Sequence, residues 1–351
     1  MGEYVFIPVV MPKHLRDSDY LWWRDNSPVK YDHLLVSYAT VGGEKVRGAY
    51  IPDWIEVMGD SGAVQLERHG ETISIPSLVS WQEENCNWGV PLDVLIGDFD
   101  FRLTNSRRNF IEHLKYAQGK CKFLLPIHGP LPDEYRRWWE GVKDLADDYD
   151  GLAVSSLSQS RGTTPTKYCP LPLYRSLGIG FCIGKTDILH VFALGDSKEK
   201  LAILVYAKKY FKRISSDASS LNLVSYTRSY NTRYWNRRID LTSRQTKKDN
   251  RQRAKLTKLP CNCPACRMFE KRILEDSAMP DVENYLVEHH LYLQLEYIQF
   301  LDALSTDEEL YREYCQERFP EIIKDLDFLD ACAKEGFESA YRKFGGLSVW
   351  R

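Results

Sequence analysis

Three cysteines, Cys261, Cys263 and Cys266, stand at Cys-x-Cys-x2-Cys spacing within Leu259-Pro-Cys-Asn-Cys-Pro-Ala-Cys, and the pair His289-His290 begins after 22 intervening residues. Thiolates this close in sequence can turn onto one tetrahedral ion, and an imidazole completes a Cys3His set suited to Zn2+. Pro260 and Pro264 favour the tight, non-helical knuckle that such a loop needs. The histidine arrives from a helix, because Tyr285-Leu-Val-Glu-His-His-Leu-Tyr-Leu carries apolar residues at helical intervals. Protein side chains fill all four positions, so the ion, one per chain, is expected to be structural. An accidental cysteine cluster is the bland reading, and the spacing argues against it.

A second set of reactive groups lies at the ends of apolar runs. Trp54-Ile-Glu-Val-Met-Gly delivers Asp60-Ser61-Gly62, and Leu92-Asp-Val-Leu-Ile-Gly leads to Asp98 and Asp100. Lys122-Phe-Leu-Leu-Pro-Ile leads to His128-Gly129, Asp150-Gly-Leu-Ala-Val to Ser155-Ser156, and Arg213-Ile-Ser-Ser to Asp217. One carboxylate can capture the sugar carbon of a breaking glycosidic bond while a second group protonates the departing base. Alone, each aspartate reads as a helix N-cap or turn residue. The catalytic reading requires a fold that brings them together.

That fold is legible as alternation. Further runs, His33–Val41 and Leu189–Leu194, and helix-like stretches at Asn109–Gln118, Pro132–Asp147 and Lys198–Phe211 complete the pattern of apolar strand, polar terminus and helix. Six or seven such units before residue 220 predict an α/β protein, a (β/α)8 TIM-type barrel in which strand C-terminal ends converge on one mouth. Residues 1–258 form the predicted barrel and 259–292 a zinc-binding subdomain. Residues 293–351, with amphipathic stretches at Asp302–Cys315 and Pro320–Phe344, form C-terminal helices that buttress the barrel or supply a homodimer contact.

The formal charge of −2 over 351 residues conceals an asymmetry. Between Tyr226 and Lys258 seven arginines and four lysines meet two aspartates, a net +9, which leaves −11 on the remainder. Tyr226, Tyr230, Tyr234 and Trp235 interleave with Arg228, Arg233, Arg237, Arg238, Lys247 and Lys248. Cations for phosphate and rings for bases point to nucleic acid rather than to a merely solvated face. Nine irregularly spaced cysteines do not make a secreted disulfide scaffold. No run has a signal-peptide pattern, and none approaches the roughly 18 to 20 apolar residues of a membrane span, so a cytoplasmic protein without a membrane partner is expected.

Together, Asp60-Ser-Gly-x-x-Gln after an early strand, Asp217 at a late strand end, and Cys-x-Cys-x2-Cys…His resemble the tRNA-guanine transglycosylase superfamily, over roughly residues 30–300. The resemblance implies a zinc-bearing barrel that exchanges guanine in a polynucleotide for a free 7-deazaguanine base. It implies Asp217 as nucleophile and Asp60 as acid/base, with Ser61 and Gly62 beside it. His128-Gly129 occupies the place of a base-reading Gln-Gly, and Asp98 or Asp100 would meet the base edge. Asp150-Gly-Leu-Ala-Val-Ser-Ser-Leu matches Asp-Gly-x-Ala-Val-Gly-Gly-Leu, which puts Ser156 and Leu157 in the pocket floor. His190-Val-Phe-Ala-Leu-Gly, with Ala193, is similar to the archaeal seventh strand, and His289-His290-Leu291-Tyr292 to a His-Asn-Leu-Tyr ligand segment that favours His289 over His290.

Val64 stands where tRNA-acting members usually carry a stacking Phe, and serines replace the Gly-Gly of the floor. These departures, with Leu34-Leu-Val-Ser-Tyr ahead of Asp60-Ser-Gly-Ala, are closer to the DNA-acting branch. DNA is therefore the expected polymer and tRNA the alternative. A non-catalytic zinc-barrel subunit is the rival from another class, and retention of both Asp60 and Asp217 argues against it. A zinc deaminase is excluded: His69-Gly-Glu71 matches the first half of its signature, but Pro260-Cys261-Asn-Cys-Pro264 places proline where the second cysteine belongs.

Overall fold

A computed structural model describes residues 2–17, 19–129, 132–155, 173–195, 197–218, 258–275 and 281–345, with the backbone of 229–231 and 238–240. Eight parallel strands form one sheet: β1 (Glu3–Pro8), β2 (His33–Ser37), β3 (Glu56–Asp60), β4 (Trp88–Gly89), β5 (Lys122–Ile127), β6 (Gly151–Ser155), β7 (Ile188–Phe192) and β8 (Arg213–Ala218). Each of β2 to β8 pairs with the next in sequence, and β1 pairs with β8. Past Pro8 the chain meets β2 through the parallel bridge Val9–Leu35, where Val10 N–H donates to Leu35 O at 2.9 Å. That bridge nearly closes the sheet into a TIM-like barrel.

Strand side chains alternate between two cores. Val5 and Ile7 of β1, Leu35, Met58, Trp88, Leu124 and Ala153 fill the barrel interior with Val90. Their neighbours Phe6, Leu34, Val36, Val57, Phe123, Leu125, Leu152, Val154, Val191 and Ile214 face the surrounding helices. Both faces are buried, so the strands read as continuous apolar runs rather than as alternating ones. In the same alternation Ser37, Asp60, Ser155 and Asp217 continue the inward-facing rows at the strand C-terminal ends.

Several expected elements shift. β1 was not among the strands anticipated from the sequence, although Tyr4-Val-Phe-Ile-Pro has the apolar character of a buried strand. β2 stops at Ser37, and Tyr38–Val41 is a helical turn. The apolar segment 92–97 is a loop and not a strand, because Pro91 cannot donate to a ladder. Its amides turn instead to side chains: Val94 N–H to Ser106 Oγ at 2.8 Å, and Leu95 and Ile96 N–H to Glu67 Oε1 at 2.6 and 3.1 Å. The following helix begins at Phe99, ten residues earlier than expected.

The last third is helical: Pro264–Glu275, Asp281–Leu304, Glu308–Arg318, Ile323–Glu335 and Phe337–Phe344. Asp281–Leu304 is one 24-residue helix that runs through position 292, so His289 and the start of the C-terminal segment share a rigid element. Leu286, Val287, Leu291, Leu293 and Leu301 are buried with its polar Glu288, His289, His290 and Gln294, the burial of a helix enclosed nearly all round. The amphipathic stretch Pro320–Phe344 is helical as expected, and Gly336, at φ 83°, divides its two α-helices. Among the described residues, no helix is long and apolar enough to cross a membrane.

Candidate functional site

The inward rows end in a polar cup. Asp60 closes β3 in register with Ser37 of β2, and Asp217 lies near the end of β8 in register with Ile7 of β1. Both are largely withdrawn from solvent. Burial first, then the charges of Asp93 and Asp217, push the Asp60 carboxyl up to about 7, while the backbone N–H groups of Gly62 and Ser61 pull the other way. A carboxyl in that range can both give and accept a proton near neutral pH.

Asp217 is held by direct donation. Ala193 N–H gives to its Oδ1 at 2.7 Å, and His190 Nε2 lies 3.4 Å from the same oxygen. His190 is set in turn by Ser215 Oγ, 2.9 Å from Nδ1, and by the edge of Phe192 at 4.6 Å between ring centroids. Ala193 adopts φ 54°; among the described residues only it and Leu173 combine a side chain with positive φ. A left-handed alanine costs about 1 kcal/mol or more, and here the turned peptide aims its N–H at Asp217. Ala193, expected among the substrate-binding residues, thus has its N–H engaged by Asp217.

The far side of the cup is built by His128 and Asp93. His128 Nε2 lies against the Asp93 carboxylate, Nδ1 is 2.9 Å from Ser155 Oγ, and the Trp138 ring stands edge-on at 4.9 Å. The hydrogen bond between Nδ1 and the Ser155 hydroxyl can run in either direction, set by the ring's tautomer. Asp93 went unnoticed in the sequence because the 92–97 run reads as a strand whose product should lie at its end.

The aspartates expected there have other work. Asp98 is the N-cap of the Phe99–Tyr116 helix and accepts from Phe101 N–H at 2.8 Å. Asp100 is exposed and pairs with Arg137 at 2.8 Å. The hydroxyls of Ser61 and Ser37 are buried without a hydrogen-bond partner beside Asp60. Gly62, at φ 81°, passes so close that a Cβ would come within 2.5 Å of Ser37 Oγ, so both conformation and space require glycine. Gly129 admits the Pro132–Val142 helix, since a Cβ would stand 2.5 Å from Tyr135 N. Ser156 and Leu157 lie outside the described residues, as do Arg228, Arg233, Tyr234, Arg237, Lys247 and Lys248. Arg238 begins a three-residue strand paired antiparallel with Ser229–Asn231.

At the second centre, Cys261, Cys263, Cys266 and His289 place one ligand atom each within 4.8 Å of one another. His289 Nδ1 stands 3.3 Å from the sulfurs of both Cys263 and Cys266. Knuckle amides turn onto the thiols, Cys263 N–H to Cys261 Sγ at 3.4 Å and Cys266 N–H to Cys263 Sγ at 3.3 Å. Hydrogen bonds from Cys263 and Cys266 hold the Cys261 thiol well below its ordinary range. Three sulfurs and one imidazole nitrogen so arranged can hold a metal ion, and His290 is not of the group.

No family model matches this sequence, and no curated protein does.

Proposed function

We propose that the chain is a nucleic-acid guanine transglycosylase that replaces guanine in DNA with a 7-deazaguanine base through a covalent Asp217–sugar intermediate. The observation that carries this reading is the pair of unlike carboxyls in one cup: Asp60 raised to about 7 and Asp217 anchored by a peptide N–H. Asp217 Oδ attacks C1′ as the C1′–N9 bond breaks, and the departing guanine takes the Asp60 proton. The incoming base returns a proton to Asp60, its nitrogen attacks C1′, and the Asp217 carboxylate is released. Two displacements retain configuration and need neither redox chemistry nor a nucleotide triphosphate.

Asp93, oriented by His128, is the carboxylate placed to accept from the N–H edge of a guanine-like base; this assigns to it the role expected of Asp98 or Asp100. Ser61 and Ser37 supply unspent hydroxyls on the Asp60 side. The Cys3His donor set suits Zn2+, and an ion held there by all four side chains would tie the knuckle to the Asp281–Leu304 helix. The basic, aromatic segment 226–258 follows β8 in sequence and has the composition to grip a polynucleotide backbone. Extruding a guanosine from duplex DNA costs a few kcal/mol, which phosphate and stacking contacts offset.

The test supplies guanine-labelled DNA and tRNA separately, with 7-cyano-7-deazaguanine as incoming base, and follows label release. Release from DNA is expected. Release from tRNA alone would overturn the polymer assignment and leave the chemistry standing. Binding of both polymers without release from either would favour a non-catalytic zinc-barrel subunit.

A further inference from the structure

The Asp281–Leu304 helix brings a further buried polar residue against the turn after β7, five positions beyond His289. Gln294 is wholly buried, and its Nε2 donates to the carbonyl of Gly195 at 2.6 Å. Gly195 N–H donates in turn to the main-chain oxygen of Asp217 at 3.1 Å. Two residues earlier in the same turn, the left-handed Ala193 gives its N–H to Asp217 Oδ1. The turn is therefore fixed to Asp217 at both backbone and side chain, and Gln294 braces it from behind.

The opposite face is closed as well. A Cβ on Gly195 would lie 2.8 Å from the Phe6 ring of β1 and 3.0 Å from Ser216 Oγ, so the turn cannot retreat toward the strands. Meanwhile the amide oxygen of Gln294 is buried without a partner. A buried amide with one unmatched end is worse than a leucine or methionine of similar size as mere filling. Its donor end is what the position uses.

Resting on the transglycosylase reading, we infer that Gln294 is a positioning residue for Asp217: it holds the 193–195 turn so that the Ala193 N–H fixes the nucleophile's attack angle. The helix that provides His289 to the metal cluster also sets this turn, so the two centres are mechanically joined.

Two full-length variants break the link. Gln294→Met keeps the volume with a flexible side chain, Gln294→Leu with a branched one, and both remove the amide donor. In both, amide hydrogen exchange across residues 190–195 is expected to accelerate at least about tenfold, since the turn loses its brace. Exchange across 259–268 and 285–300 stays as in wild type, with metal retained. Base exchange should lose about tenfold to a hundredfold in kcat with KM nearly constant, as expected for a misplaced reacting group. Unchanged protection at 190–195 would overturn the inference even if the protein were less stable. So would loss of fold and metal in both variants, since Gln294 would then hold the helix and not the turn. The hydrogen-exchange arm needs no substrate. A wild type that exchanges no base on either polymer would sink the transglycosylase reading while leaving the brace open to measurement.

Discussion

Two corners of the mouth each present an aspartate at a strand end, and the molecule treats them oppositely. At the β3 corner Asp60 is surrounded by like charge and orphaned hydroxyls, so its proton is retained near neutral pH. At the β8 corner Asp217 receives an N–H from a strained peptide, lies near His190, and sits on a turn braced by Gln294. The first corner tunes a proton, with burial and like charge outweighing the N–H groups of Gly62 and Ser61. The second fixes an oxygen in space. Division of labour between chemically identical groups comes from environment alone.

Removing the fixed oxygen should have the largest effect. Asp217→Asn is expected to abolish base exchange, by roughly 10^4-fold or more as for other lost nucleophiles, and to eliminate the protein–polynucleotide adduct on a denaturing gel. An adduct that survives would move the nucleophile to another carboxylate.

Asp60→Asn removes proton transfer while leaving the nucleophile, so a loss of roughly 10^2- to 10^4-fold is expected. The same variant sharpens the comparison through stability. A carboxyl whose folded-state value is raised binds protons more tightly when folded. The stability it provides is therefore present below the unfolded value near 4 and is lost as pH rises through about 7. Denaturant titrations should show wild-type stability falling between pH 4 and 7 by an amount of order 1 to 4 kcal/mol, a slope that Asp60→Asn flattens. Equal slopes in both proteins would remove Asp60 from the role of neutral-pH acid.

The metal cluster gives the next effect. Purified protein should carry one Zn2+ per chain by elemental analysis, and Cys263→Ser should lose it together with several kcal/mol of stability. A metal-free, stable and fully active Cys263→Ser protein would contradict the structural assignment. Smallest are the controls beside the mouth. Asp98→Ala should cost about 1 kcal/mol as a lost cap, and Asp100→Asn less than about 0.5 kcal/mol. Neither should change base exchange more than stability explains.

What the sequence made legible follows how local each signal is. The three cysteines were readable from knuckle spacing, whereas the choice of His289 over its neighbour His290 came from the resemblance to a His-Asn-Leu-Tyr segment. Asp60 and Asp217 were readable as strand ends once a barrel was assumed. Asp93 was not, since Leu92-Asp-Val-Leu-Ile-Gly has strand composition; Pro91, two residues past the two-residue β4, was the available warning. Nothing in the residue type of Ala193 announces its left-handed backbone, because that conformation is imposed by packing around Gly195 and Asp217. Likewise, no local pattern ties Gln294 to a turn about 100 residues earlier; that contact exists only after the helix docks.

The pairing of β1 with β8 has a consequence in time. Glu3–Pro8 must wait, with the edge that β8 will cover still open, while more than two hundred residues are synthesised before Arg213–Ala218 leaves the ribosome. Joining ends so far apart is entropically late and slow. Asp217 rides on that final strand, in register with Ile7 of the first. A nascent chain can present the β3 carboxyl early, but the second reaches the mouth only as the last staves of the barrel meet. The reactive pair is thus absent from any chain shorter than β8, and the helix whose Gln294 braces the second carboxyl's turn follows later still.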